Sequence, residues 1–215
     1  GEDNPELDAD DVDEFLRHVL ERADWRRNLH FQTCTTIDTL DYTGEGLNRG
    51  SKAVVAVAGP PRRTLSVGVD STIKIPQGLG FRSPRVVLPG ILVVEGPAYE
   101  ADEHGRDGAV QRFCQTYTHA DGINAFPLIV VVDQSEFAAR TLDNFLWTTF
   151  TRSSPARDCY GIESFLVDKH WGCVGSLVID ARSKPHHAPP LVEDPGVTRR
   201  VDELAAPGRP LHGII

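Results

Sequence analysis

FPLIVVVD (Phe126–Asp133), followed at once by QSEFAARTLDNFLWTTFTR (Gln134–Arg152), decides how this chain is read. Four consecutive β-branched residues, Ile129 to Val132, lie between Pro127 and Asp133. That is the composition of a short strand buried on both faces. The next stretch carries apolar groups at helical spacing. Phe137, Leu142, Phe145, Leu146, Thr149 and Phe150 form one stripe, and Arg140, Asp143 and Asn144 form the wet face. Ser135 and Glu136 stand where a cap and a negative charge favour a helix start. The pattern predicts one helix over 134–152.

Working outward, Asp11 to Ala23 reads as a first helix, with Phe15, Leu16, Val19 and Leu20 on one stripe. Thr33 to Asn48 is rich in Thr and Gly and reads as irregular. Ala53 to Ala58 (AVVAVA) is a wholly apolar strand candidate closed by Gly59-Pro60-Pro61. Arg85–Leu88 and Ile91–Val94 are strand pieces around Pro89-Gly90. Gly105 to Tyr117 reads as a second helix, with Val110, Phe113 and Cys114 on one side. Ile162–Val167 and Ser176–Asp180 read as late strands, and Val197–Ala205 as a closing helix. Strands alternating with helices predict an α/β fold with a mainly parallel open sheet and flanking helices. Three parts are expected: an acidic leader or linker over 1–10, a helix plus a strand-rich first part over 11–125, and a strand–helix–strand part over 126–215.

The 215 residues are 40% hydrophobic, enough for a sizeable core, and the net charge is −9. An acidic chain is a poor partner for a nucleic-acid backbone. No apolar run approaches the length of a bilayer span, and no signal-peptide pattern opens the sequence. Cys34, Cys114, Cys159 and Cys173 lie far apart, which suggests reduced thiols and a cytoplasmic protein. The chain begins with Gly and contains no Met, as a piece of a longer polypeptide would.

Two motifs fail on spacing. Gly44 to Lys52 looks like a phosphate loop, but its glycines and its Ser-Lys order are wrong, and it precedes a strand instead of following one. It reads as a glycine-rich turn. Gly78-Leu79-Gly80-Phe81 looks like a peptide-carboxylate loop, but Ser83-Pro84 interrupts the strand that must follow. His170, Cys173 and His187 are possible metal ligands without a further pair at ligand spacing, so no metal site is assigned to this chain. His186-His187 reads as a surface or packing loop. Lys169, His170 and Trp171 lie between two strands at a sheet edge, where open α/β folds place ligands. Lys pairs with carboxylates, His shuttles protons near neutral pH and Trp walls an aromatic ring. An ordinary loop with a stacked Trp fits the same letters.

From Phe126 onward the chain resembles the C-terminal domain of UbiD-type decarboxylases. The resemblance rests on Pro127–Asp133, on NFLWTTFTR (Asn144–Arg152), on Pro155-Ala-Arg-Asp158 and on Val178-Ile-Asp-Ala-Arg182. It continues through Pro189-Pro190, Asp194-Pro195 and Arg199–Asp202. Residues 28–100 resemble the family less distinctly. The resemblance implies a reversible, non-oxidative decarboxylase or carboxylase of aromatic or unsaturated carboxylic acids. It implies prenylated FMN with a divalent metal (Mn or Mg) and potassium. In the family these are held by an N-terminal half, which has no counterpart in residues 1–125. This chain then corresponds to a C-terminal part or subunit, inactive alone, that supplies oligomer contacts and one wall of the substrate pocket. Carried over by position, that wall is Ile162, Phe165, Lys169, His170 and Trp171, with no residue assigned as a catalyst. The expected partners are the N-terminal half, further copies of the chain and a small carboxylic acid. A scaffold that keeps the fold without the chemistry, and a stand-alone ligand-binding domain, are the competing readings.

Overall fold

A computed structural model describes residues 7–44, 46–103, 106–188 and 194–214. Helix α1 (Val12–Arg22) leads into the hairpin β1 (Leu29–Thr35) and β2 (Gly50–Val55). Next come β3 (Arg82–Leu88), β4 (Ile91–Glu95), α2 (Ala109–Gln115), β5 (Leu128–Val132), α3 (Ser135–Ala138) and α4 (Leu142–Thr151). The chain continues through α5 (Pro155–Asp158), β6 (Cys159–Gly161), the hairpin β7 (Ser164–Val167) and β8 (His170–Cys173), β9 (Leu177–Asp180) and α6 (Pro195–Ala205).

The central sheet has five strands in the order β3-β4-β5-β9-β6. Neighbours β4–β5 and β5–β9 are parallel, while β3 and β6 run antiparallel at the edges. The α/β architecture expected from the sequence is therefore present, with a parallel centre and a mixed sheet overall. The centre is parallel because its strands are apolar on both faces. Val93, Val130, Val132 and Ile179 point into one core with Leu20, Trp25 and Phe145. Leu92, Val94, Ile129, Val131 and Val178 point into the other, with Val110, Phe113 and Phe126. Helices α1, α3 and α4 cover the first face and α2 the second. The Trp25 indole N–H donates to the Pro127 carbonyl at 2.8 Å, which ties the N-terminal segment to the root of β5.

Several boundaries differ from expectation for identifiable reasons. The helix over 134–152 is two helices. Thr141 adopts an extended backbone, and its side chain accepts from the Asn144 amide at 3.1 Å. A Thr cap thus starts a new helix where periodicity alone continued the old one. Phe150 lies on the outer side of α4 and is 59% exposed, outside the buried stripe assigned to it. Strand β1 occupies the start of the supposed irregular stretch, because its Thr residues suit a hairpin. The AVVAVA strand begins earlier and ends at Val55. In β3, Ser83 takes a left-handed backbone (φ 52) at a register shift, so Pro84 sits at a bulge on an edge strand, where its missing donor costs no ladder bond. Gly105, Pro189 and Pro190 lie outside the described residues.

Asp24 closes the link between α1 and β1. It is 6% exposed, and its carboxylate meets Arg26 at 2.8 Å and Arg62 at 3.1 Å. The hydrogen bond from Arg26 outweighs burial and holds the Asp24 carboxyl at about 2. A folded value below the unfolded one gives stability that is complete above pH 3.8 and lost as pH falls through about 2. Both arginines are half exposed, so the contribution is about 1–2 kcal/mol. Urea unfolding at pH 7 and pH 3 will show this: Asp24→Asn loses that stability at pH 7 and flattens the acid limb.

Candidate functional site

The two hairpins face each other across a cleft of about 540 Å³. One wall is β1, through Leu29, His30 and Phe31. The other is the β7–β8 hairpin, through Leu166, Lys169, His170 and Trp171, and Pro155 and Cys159 close the base. The Trp171 ring meets Phe31 edge-on at 5.5 Å, and the His170 ring lies 6.0 Å from His30. His170 Nε2 is 2.9 Å from the Arg26 carbonyl. A carbonyl only accepts, so Nε2 carries the hydrogen and Nδ1 is left as the basic nitrogen.

Residues Asp168 and Lys169 form the turn of this hairpin, since Val167 pairs with His170. Both have positive φ, 49° and 66°. A two-residue turn of that kind normally takes Asn-Gly or Asp-Gly, and Lys in its second position is strained. The turn sets Lys169 at the rim of the cleft. Of the residues proposed from the sequence, Lys169, His170 and Trp171 line the cleft together. Phe165 packs behind it, close to Gly172. Ile162 is fully buried in the core beside Phe126 and Val178 and does not reach the cleft. The opposite wall, Leu29–Phe31, gave no functional signal in sequence.

A second feature has no counterpart among the sequence expectations. Each parallel strand ends in an acid, and each acid meets an arginine. Glu95 pairs with Arg82 at 3.0 Å, Asp133 with Arg152 at 3.0 Å and Asp180 with Arg182 at 2.7 Å. Arg182 is completely buried and also meets Asp107 at 3.0 Å. Burial pulls its basicity down, but Asp180 and Asp107 outweigh that and raise it. Lys184 is buried alongside. It donates to the carbonyls of Arg152 (3.0 Å) and Asp180 (2.8 Å) and lies 3.4 Å from Asp158. Burial raises the Asp158 carboxyl against the pull of Lys184. The Tyr99 ring lies under both cations, 5.4 Å from Arg182 and 5.8 Å from Lys184. The repeated signal, an apolar strand ending in Glu or Asp, was visible as ILVVE, IVVVD and LVID.

Beside this network opens a wider cleft of about 840 Å³, walled by Leu40, Tyr42, Trp147 and Phe150 with Arg152 and His187. The four apolar walls are all more than half exposed. Burial, then the neighbouring Lys184, lowers His187 to about 4, so it is neutral at pH 7. Among the described residues no three His, Cys, Asp or Glu side chains come together to hold a metal. The four cysteines are free, and no described helix is long and apolar enough to cross a membrane.

Known proteins share sequence with this chain. The family profile described as the 3-octaprenyl-4-hydroxybenzoate carboxy-lyase C-terminal domain matches residues 2–57. A 4-hydroxybenzoate decarboxylase subunit from Chlamydia pneumoniae is 29% identical over 201 residues, which is 92% of this chain and 31% of that protein. An uncharacterized protein of Chlamydia trachomatis serovar D is 30% identical over 83% of this chain and 28% of its own length. A vanillic acid decarboxylase structure from Sedimentibacter hydroxybenzoicus, in open form, overlaps 54% of this chain and 26% of that one, at 18% identity and a TM-score of 0.35. The chain thus spans about a third of the length of its curated relatives. The sequence matches bear out the resemblance: this chain is similar to the C-terminal portion of UbiD-type decarboxylases. The profile match falls at 2–57, ahead of the motifs after Phe126, and the Chlamydia pneumoniae alignment takes in most of both.

Two substitutions separate structure from chemistry here. Arg182→Ala leaves Asp107 buried without its cation and Asp180 with only the more distant Lys184 at 4.0 Å, and will cost about 3–5 kcal/mol in urea unfolding. Lys169→Gly relieves the turn and will stabilise the fold by up to about 1 kcal/mol by the same measurement.

Proposed function

We propose that this chain is the C-terminal part of a UbiD-like non-oxidative decarboxylase or carboxylase, with the cleft between its hairpins as one wall of the substrate pocket. The observation that carries the reading is coverage: a protein named as a decarboxylase subunit aligns with 92% of this chain, yet the chain accounts for only 31% of it. The remaining machinery therefore belongs to another part of the assembly. Prenylated FMN, a divalent metal and potassium are assigned to the N-terminal half, which is also the principal partner.

Within the pocket, Lys169 pairs with the substrate carboxylate and Trp171 stacks on an aromatic or unsaturated body. His170 is held by the Arg26 carbonyl, so that its Nδ1 faces proton exchange. The exposed aromatic surface of Trp147, Phe150 and Tyr42 serves as an oligomer contact, since an apolar patch of this kind marks an interaction site.

The test is to combine the chain with an N-terminal UbiD half loaded with cofactor, and to follow carbon dioxide release from a panel of aromatic acids. Activity is expected only from the combination, with a second polypeptide visible by native mass spectrometry. His170→Ala is expected to lower kcat/KM by at least about tenfold with the complex intact. Full activity in that variant removes His170 from the site, and a chain that never associates overturns the reading.

A further inference from the structure

The stretch Ala53–Ala58, the end of β2 and the three residues after it, is apolar along its whole length, yet it is largely uncovered. Val54 is 50% exposed and Val55 38%, and Ala53, Ala56 and Ala58 are exposed as well. β2 pairs only with β1, so its other edge has no strand neighbour among the described residues. The Ala56 amide donates to the Asn28 carbonyl at 2.9 Å, on the β1 side. By the alternation of the ladder, the amides and carbonyls of Ala53 and Val55 point to the open edge. An exposed apolar strand with free backbone groups is a template for another strand.

Residues 55–58, at the end of β2 and just past it, line a groove of about 580 Å³ with α1 and with Arg27 and Asn28. Its floor is apolar, from Phe15 and Val19 on α1 and from Val55 and Val57. Its rim is cationic: Arg22, Arg27 and Arg62 all line it. Arg26 and Arg63 stand beside them. Arg26 and Arg62 share the one carboxylate of Asp24, Arg22 takes Glu21, and Arg63 donates to the Leu20 carbonyl. Among the described residues, three guanidinium groups and no carboxylate line the groove, in a chain whose net charge is −9. The local excess is opposite in sign to the molecule and calls for an acidic occupant.

We propose that this groove docks an extended, acidic and apolar segment of the polypeptide that carries the rest of the family sequence, added as a strand along β2. The inference rests on the partner reading above and names the surface where that partner sits. Main-chain bonds to Ala53 and Val55 supply register, the floor takes alternate apolar side chains, and the arginine rim takes carboxylates. A second copy of this chain is a poor occupant, because a two-fold contact here sets one arginine rim against another. The length of the relatives outside the matching region supplies the chain to fill it.

The probe is the part of the Chlamydia pneumoniae relative that has no counterpart in this chain, produced together with all 215 residues. The complex is expected to slow hydrogen exchange at residues 53–58. Arg27→Glu with Arg62→Glu is expected to weaken association by about tenfold or more, more steeply at low salt. Val55→Asp does the same, while Arg140→Glu, on the α3–α4 loop, leaves it unchanged. Circular dichroism confirms that each variant is folded, and exchange in the wild type reads the same surface without any substitution. A complex that forms with 53–58 unprotected, or that survives the charge reversal, overturns this groove and leaves the partner reading standing. No complex at all overturns both.

Discussion

Arg182 is a full guanidinium charge placed where no water reaches it, and the arrangement of the sheet end depends on it. Its two carboxylates come from different parts of the chain: Asp180 from the end of β9, and Asp107 from the segment that starts α2. Asp107 also accepts from the Ala109 amide at 2.6 Å, so the same group that neutralises the arginine starts the helix. Above the arginine stem the backbone of Gly96 passes so closely that an added Cβ would lie 2.6 Å from Val131 and 2.9 Å from Arg182. Charge neutralisation, helix start and strand spacing are thus one constraint. Asp133 and Glu95 repeat the idea less deeply, each holding the backbone or hydroxyl of the next loop.

How much of this was legible depends on which physical force wrote each element. β4, β5 and β9 were plain in the letters because burial on both faces demands uninterrupted apolar residues. α1 was plain because one face is wet and the other dry. The break at Thr141 was not, because a cap and a mid-helix Thr look alike until the backbone is seen. The 168–169 turn carries no Gly, so nothing in the sequence marked it as tight. Arg182 directly follows a strand, a place where a charge ordinarily means solvent. The cleft was half legible: Lys169, His170 and Trp171 declare themselves by residue type, whereas Leu29–Phe31 reach them only through tertiary packing.

The β1–β2 hairpin links the candidate cleft and the groove. Its first strand walls the cleft opposite His170, and the end of its second strand floors the arginine-rimmed groove. The Asp24 cluster lies at the root of both, with Arg26 offering its carbonyl to His170 and its guanidinium to Asp24. The groove and the cleft therefore share a single support.

The bond between Trp25 and Pro127 joins residues 102 positions apart. While the protein is being made, α1 and Trp25 leave the ribosome long before β5 exists to receive them, and β9 arrives later still. The apolar stripe of α1 stays uncovered until the central strand has been made.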